Sequence, residues 1–119
     1  MNKLLHTPLT VHNVELANRL VMPPMATGKT PDGTVQDDLL AYYDARSKGG
    51  CIGLIVTEHA YISPEGKAHE GQLSVSRDTD IPGLTKLVET IHKNNTRVIA
   101  QINHAGSAAM EEITGYPAI

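Results

Sequence analysis

The sequence has few aromatic residues and only one cysteine. Its 119 residues include four tyrosines but no phenylalanine and no tryptophan, so aliphatic side chains must build the hydrophobic core. Cys51 is the only cysteine, which excludes an internal disulfide and a metal site made of several cysteines. A lone thiol is typical of a protein in a reducing compartment, and we therefore predict a cytoplasmic location.

The sequence also lacks a strong excess of charge and a long apolar segment. Ten basic and thirteen acidic residues give a net charge of −3, whereas nucleic-acid-binding domains are usually strongly basic. No apolar run approaches the about 20 residues that span a bilayer, and the N-terminus has no signal-peptide pattern. We therefore expect neither a nucleic-acid nor a membrane partner. The length suits one domain of ordinary size.

Three apolar segments are predicted to be strands buried on both faces, because they do not alternate with polar residues. They are Leu20-Val21-Met22, Cys51 to Thr57 and Arg97 to Ile102. Within residues 4–22, a β-hairpin with its turn at His12-Asn13 precedes the first strand. At the start of the second strand, Cys51 is expected to be a buried and inert small hydrophobe. That strand is predicted to end at Glu58-His59, and Leu73-Ser74-Val75 to be a short extended segment.

Apolar residues at helical spacing predict two amphipathic helices, over roughly residues 35–48 and 80–94. Gly49-Gly50 is expected to end the first helix, and Asp80 to cap the second. The apolar stripe from Ile81 to Ile91 is expected to face the core. Buried strands that alternate with such helices predict βαβ units in a parallel sheet, and right-handed crossovers make the three main strands neighbours.

The carboxyl ends of the three strands are the predicted ligand site, because parallel α/β folds bind ligands at that edge. The segments at these ends are Pro23 to Thr27, Glu58 to Ala60 and Gln101 to His104. A small-molecule site would therefore combine residues from all three.

Three motifs accompany these strands in order. They are Asn18-Arg19 before a strand that runs into Met22-Pro23-Pro24-Met25, Gly53 to Glu58 with Ser63-Pro64-Glu65-Gly66 after it, and Gln101-Ile102-Asn103-His104-Ala105-Gly106. Together they resemble the Old Yellow Enzyme family of FMN-dependent ene reductases. The resemblance implies an α/β fold, a partial TIM (β/α)8 barrel made of an N-terminal hairpin, the first three parallel strands and two helices.

The resemblance also implies a cofactor and a reaction. FMN would be reduced by NAD(P)H and would pass hydride to the activated C=C bond of an α,β-unsaturated carbonyl compound, an enone or enoate. The implied cofactor-binding residues, none of them assigned as catalytic, are Pro23, Pro24, Met25 and Ala26 against the flavin ring, His59 at a flavin-contacting position, and Gln101 on the polar edge of the ring. A carboxamide suits that edge because it offers both a donor and an acceptor.

The sequence departs from the family pattern at several positions. Ala26 stands where relatives often have Cys or Thr, and Gly28 where one subgroup has a substrate-binding Tyr. His59 replaces a small residue, so its side chain must point away or reshape the site. Ser107 replaces an arginine.

Simpler structural roles remain open for several of these residues. Gln101 could end a strand and cap a neighbouring loop. Glu58 could be a general base, but a partnership with Arg19 or with a backbone N–H is favoured. His104 is expected to support its loop by hydrogen bonding and not to perform catalysis. No metal-ligand spacing connects the histidines, including His59, His69 and His104.

The chain is short for the implied fold, since a complete eight-stranded barrel takes about 250 residues. Residues 1–119 are therefore predicted to be the N-terminal part of a single FMN-binding barrel domain. An alternative is a truncated, inactive chain that folds or acts only with a complementing chain, because an open sheet leaves an unpaired edge. A third interpretation is a barrel enzyme without flavin, such as an aldolase or a phosphate-binding isomerase. A homo-oligomer is left open.

Overall fold

A computed structural model describes residues 3–118. Its strands are β1 (Leu9–Val11), β2 (Val14–Leu16), β3 (Val21–Met22), β4 (Leu54–Tyr61), β5 (Leu73–Ser74) and β6 (Arg97–Asn103). Its α-helices are α1 (Asp37–Ser47), α2 (Ile81–His92) and α3 (Glu111–Thr114). Short 3₁₀ turns lie at Lys3–His6, Pro64–Gly66, Asp78–Asp80 and Gly106–Ala108.

The main sheet is parallel and has β4 at its centre. β3 and β5 pair with one edge of β4, and β6 pairs with the other, so the prediction that the three main strands are parallel neighbours is confirmed. The predicted hairpin is also confirmed, because β1 and β2 are antiparallel around His12-Asn13. Within residues 3–118 no strand pairs with the outer edge of β6, and the sheet is therefore open.

The start of β4 differs from the prediction. The strand begins at Leu54 and not at Cys51, because the chain first turns through Gly50, whose φ is +65°. Gly53 then passes so close to the backbone of Asn18 that a Cβ atom there would contact the Asn18 carbonyl oxygen. Cys51 lies in this turn and is exposed, so its predicted burial is wrong.

The end of β4 also differs from the prediction. The strand does not stop at Glu58-His59 but continues to Tyr61, because neighbouring strands pair with it beyond that point. Ala60 lies opposite Leu73 of β5, and Tyr61 lies opposite Asn103 of β6. These pairings are made with segments that are distant in the sequence, so the local apolar pattern of β4 could not predict them.

The hydrophobic core lies between one face of the sheet and the helices. Its buried members come from strands and helices alike: Met22, Leu39, Tyr43, Ile55, Ala60, Leu73, Leu87 and Ile91. Side chains alternate along a strand, so Val21 and Ile99 point to the opposite face, where both are exposed. One face of the sheet is thus closed by helices and the other is open.

Helix α2 is less buried than its apolar stripe predicts. Leu87 and Ile91 are buried, but Ile81 is 57% exposed and Val88 is 36% exposed. The prediction that the whole stripe faces the core is therefore wrong for Ile81 and Val88. None of the helices in the described part of the chain is long and apolar enough to cross a membrane.

Asp80 does not cap α2 with its side chain. Its buried carboxylate instead accepts a hydrogen bond of 2.6 Å from the Ser74 hydroxyl and one of 2.8 Å from the Arg77 guanidinium. Asp80 is the N-cap residue of α2 as predicted, but its side chain makes no capping hydrogen bond because these two donors hold the carboxylate in the preceding 3₁₀ turn.

Candidate functional site

The three predicted site segments meet at the carboxyl edge of the parallel sheet. Pro23 to Ala26 follow β3 directly, while His59 and Gln101 lie in β4 and β6. His59 and Gln101 are register partners, and side chains of directly opposed residues lie on the same face of a sheet. The structure therefore brings residues from all three segments to one edge, as expected from parallel strands.

A β-bulge creates the pairing of His59 with Gln101. Val56 lies opposite Ile99 and His59 lies opposite Gln101, so three steps along β4 match two along β6. Without the extra residue in β4, Glu58 would face Gln101. Bulges re-aim side chains next to functional sites, and nothing in the apolar pattern of this strand predicted one.

Glu58 ties the segment after β3 to β4. Its carboxylate accepts hydrogen bonds from the backbone N–H of Thr27, at 2.9 Å, and from the Thr27 hydroxyl, at 3.1 Å. The predicted partnership of Glu58 with a backbone N–H is confirmed. The predicted alternative partner, Arg19, instead donates from Nε to the hydroxyl of Thr7.

A buried tyrosine holds the backbone at the same point. The N–H of Glu58 donates to the Tyr43 hydroxyl oxygen at 2.8 Å. Burial raises the pKa of the Tyr43 phenol well above its ordinary value, so this side chain stays neutral. Helix α1 thereby fixes β4 at the position from which Glu58 holds Thr27.

The polar groups around this edge leave hydrogen-bonding capacity for a ligand. Gln101 is exposed, and within residues 3–118 its carboxamide makes no hydrogen bond, so it does not cap a loop there. Met25 and Ala26, which follow β3 on the other side of β4 from Gln101, are exposed as well. A free carboxamide suits the alternating N–H and carbonyl groups of a flavin edge, and the small side chain of Ala26 leaves room for a flat ring.

His59 forms a pair with a histidine from the following loop. Its Nε2 atom lies 3.0 Å from Nε2 of His69, and Nδ1 of His69 lies 2.7 Å from the carbonyl oxygen of Glu70. Burial lowers the pKa of His59, and the neighbouring His69 lowers it further, while Glu58 opposes both effects. The sequence predicted separate roles for these two histidines, which lie ten positions apart in the chain.

His104 supports the loop after β6. Its Nδ1 accepts a hydrogen bond of 3.0 Å from the N–H of Gly106. The neighbouring Ala105 donates its N–H to the carbonyl oxygen of Gly66 at 2.9 Å, and the His104 ring packs against Gly66. The predicted role in loop support is therefore confirmed. Within residues 3–118 no cluster of three or more His, Cys, Asp or Glu side chains could hold a metal ion.

One cavity of the described part of the chain lies away from this edge. It has a volume of about 510 Å³ and lies between the hairpin and the main sheet, with Val11, Val14, Leu54, Arg97 and Ile99 in its lining. Leu54 and Arg97 begin their strands, so this cavity is at the amino end of the sheet. Ligands of parallel α/β folds bind at the other end.

Comparison with known families assigns the chain. A model described as the NADH:flavin oxidoreductase / NADH oxidase family matches residues 4–117. The chain belongs to this family. The resemblance to the Old Yellow Enzymes is thereby confirmed, and with it FMN as the cofactor of the family and NAD(P)H as its reductant.

Relatives of known name are much longer than this chain. A metal reductase of Desulforamulus reducens is 36% identical over 116 residues, which cover 98% of this chain and 17% of that protein. An NADH oxidase of Thermoanaerobacter brockii is 39% identical over 106 residues, which cover 87% of this chain and 16% of that protein. The chain thus spans about a sixth of the length of these two relatives.

A solved structure supports the same fold. Morphinone reductase in complex with tetrahydroNAD superposes with a TM-score of 0.85 at 29% sequence identity, over 92% of this chain and 30% of that one. The open sheet of β3, β4 and β6 therefore corresponds to part of a barrel, and the predicted partial TIM barrel is confirmed.

Proposed function

We propose that this chain supplies the first part of the FMN site of an oxidoreductase that takes electrons from NAD(P)H. The proposed substrate is a small enone or enoate, reduced at its activated C=C bond. The observation that carries this proposal is the convergence of Pro23 to Ala26, His59 and Gln101 on one sheet edge in a chain of a flavin oxidoreductase family. Residues 1–119 would form the N-terminal part of a single FMN-binding barrel domain.

Each part of this edge has a proposed role. Gln101 would bind the polar edge of the isoalloxazine with its carboxamide, while Pro23, Pro24, Met25 and Ala26 lie against the ring. His59 would lie beside the ring at the register position of Gln101. Bound FMN supplies the hydride chemistry, and the protein orients it. Glu58 contributes indirectly, because its hydrogen bonds to Thr27 hold the segment that follows β3.

A second proposal follows from the open face and the open edge. In the described part of the chain, the outer edge of β6 has backbone groups that no strand pairs with. The apolar side chains of Val21 and Ile99 are exposed on the open face. A closed barrel would cover both features. We propose that a complementing chain, carrying later strands, is needed for full activity. The third interpretation, a barrel enzyme without flavin, is wrong because the family is one of flavin enzymes.

FMN retention by the purified chain tests the first proposal. The chain is incubated with FMN and desalted, and its visible absorption spectrum is recorded beside a fluorescence titration of FMN affinity. Retained flavin bands support a ring site built by these strands. A colourless chain supports the second proposal, and the titration is then repeated with the complementing chain present.

The variant Gln101→Ala sharpens this test. Losing the hydrogen bonds of one carboxamide should cost roughly 1–2 kcal/mol of binding free energy, or about tenfold in FMN affinity. The matched control is Gln36→Ala, because Gln36 is an exposed glutamine whose side chain, among residues 3–118, bonds only to Asp32 and Thr34. Equal FMN affinity in the two variants would remove Gln101 from the site.

A further inference from the structure

The hydrogen-bond geometry of His59 and His69 fixes where their protons lie. A carbonyl oxygen only accepts, so Nδ1 of His69 must carry the proton that it donates to the carbonyl of Glu70 at 2.7 Å. In the neutral ring Nε2 of His69 is then an acceptor. The proton between the two Nε2 atoms, 3.0 Å apart, therefore belongs to His59. The neutral pair has one defined arrangement.

This arrangement leaves one ring nitrogen of His59 free. With Nε2 as the donor, Nδ1 of neutral His59 carries a lone pair, and within residues 3–118 it makes no hydrogen bond. His59 is half-buried and lies opposite the exposed Gln101 in the sheet. The free nitrogen therefore belongs to a ring at the proposed flavin site, and His69 connects that ring to the loop surface.

A hydrogen-bonded clamp holds the loop that carries His69. The Gln72 carboxamide is buried; it accepts from the N–H of Ala68 at 2.6 Å and donates to Oδ1 of Asn103 at 3.2 Å. It also lies 3.4 Å from the carbonyl oxygen of His59, to which it donates. The loop is thus attached to β4 through the His59 carbonyl and to β6 through Asn103.

Few charges act on the pair. Glu58 lies next to His59 on the same strand, but its carboxylate is bonded to Thr27. In the loop, Lys67 and Glu70 neutralise each other in an ion pair of 3.1 Å. On β6 and in the clamp, Gln101 opposite His59, Asn103 opposite Tyr61 and Gln72 are all neutral. Burial of His59 and, after it, repulsion between two imidazolium rings therefore oppose a second proton on the pair.

We propose that His59 and His69 are a proton-exchanging pair at the flavin site, with His59 as the catalytic member and His69 as a positioning residue. Uptake of a proton at Nδ1 of His59 forms one N–H bond, and transfer of its Nε2 proton to Nε2 of His69 breaks one and forms another. The positive charge then rests on His69, whose Nδ1–H bond breaks as that proton passes to water, with loss of the hydrogen bond to the Glu70 carbonyl. The pair is then neutral again, with Nδ1–H on His59 and Nε2–H on His69. The reverse sequence delivers a proton to the site. This inference rests on the proposed function, since reduction of a C=C bond consumes one proton besides a hydride.

Nuclear magnetic resonance of the imidazole groups tests the pair in the chain itself. In the wild type we expect the Nε2–H tautomer of neutral His59 and a titration midpoint below the ordinary 6.5. In His69→Gln the side-chain oxygen still accepts from His59 but cannot become charged, so the tautomer should persist while the midpoint rises toward 6.5. In His69→Ala the tautomer preference should be lost. His92→Gln, an exposed histidine at the end of α2, is the control and should change neither.

Addition of FMN to the same samples tests the connection with the site. Bound FMN should shift the ring resonances and the midpoint of His59, and the shift of the midpoint should change in His69→Gln while FMN affinity stays within about twofold. A wild-type chain that retains no FMN, even with a complementing chain, would overturn the proposed function and this inference together. If the chain retained FMN but the titration midpoint of His59 changed neither on FMN binding nor in the His69 variants, this inference alone would be overturned.

Discussion

The two faces of the parallel sheet differ although the same strands form both. On the closed face, Ile55 is 0% exposed and packs with Leu39, Tyr43 and Ile91. On the open face, Ile99 is 53% exposed although it belongs to a strand paired with β4 over most of its length. An apolar strand is therefore not buried by its own composition, since burial depends on which elements cover each face.

The comparison also separates folding from function. The closed face contains the core and the Tyr43 hydroxyl that fixes the backbone of Glu58. The open face carries Gln101 and His59, and within residues 3–118 the Gln101 carboxamide and Nδ1 of His59 make no hydrogen bond. Glu58 connects the two, because it takes its position from the closed side and holds Thr27 at the edge of the site. Substitutions on the two faces should therefore have different consequences.

The largest expected effect is the loss of stability from Ile55→Ala, set against Ile99→Ala. Removing a fully buried isoleucine side chain should lower the free energy of unfolding by about 2–5 kcal/mol. The same truncation at the exposed Ile99 should cost less than about 1 kcal/mol. Urea unfolding followed by circular dichroism measures both. Equal losses would mean that the open face is covered in solution, for example by a second copy of the chain.

The next effect is that of Glu58→Ala, which breaks the connection between the faces. The Thr27 N–H loses its acceptor, and an unsatisfied donor near the core costs about 1–3 kcal/mol. FMN affinity should fall with it, because the segment from Pro23 to Ala26 is no longer held. Glu58→Gln keeps one acceptor oxygen. Its free energy of unfolding and its FMN affinity should both lie between those of the wild type and Glu58→Ala.

Glu89→Ala is the control for Glu58→Ala, since Glu89 is an exposed glutamate on α2. It should change neither the free energy of unfolding nor FMN affinity. If Glu58→Ala lowered stability as predicted but left FMN affinity unchanged, the segment after β3 would not be part of the ring site. The proposed contacts of Pro23 to Ala26 would then be wrong.

Much of the fold was predictable because its signals are local. A two-residue turn between Val11 and Val14 and the periodicity of α1 and α2 depend on neighbours in the chain. The errors lie where distant segments decide. The extension of β4 to Tyr61 needs Leu73 and Asn103 beside it, and the exposure of Cys51 follows from the close passage of Gly53 by Asn18.

The meeting of the three proposed site segments at one sheet edge was predictable, but its detailed geometry was not. The rule that ligands bind at the carboxyl edge, together with the family motifs, selected Pro23 to Ala26, His59 and Gln101. The bulge that aligns His59 with Gln101 was not predictable, because it appears only in the pairing of two strands. The contact of His59 with His69 was missed for a similar reason, since it joins a strand to a loop that Gln72 attaches to β6.

The smallest expected effect is a loss of stability at Asp44. This residue lies in the helices that cover the closed face and connects α1 to the residues just after α2. A hydrogen bond from Asn94, at 3.0 Å, and an ion pair with Lys93, at 3.1 Å, lower the pKa of Asp44 below 3.8. A lowered pKa in the folded chain stabilises it above the unfolded value, and this contribution disappears as the pH falls through the folded value. Asp44→Asn should therefore be slightly less stable than the wild type at pH 7, and the difference should shrink below pH 3.8.

Urea unfolding of both chains across this pH range measures the difference in stability, with Asp38→Asn on the exposed first turn of α1 as the control. A difference that stays constant with pH would mean that Asp44 acts through its shape and hydrogen bonds and not through its charge.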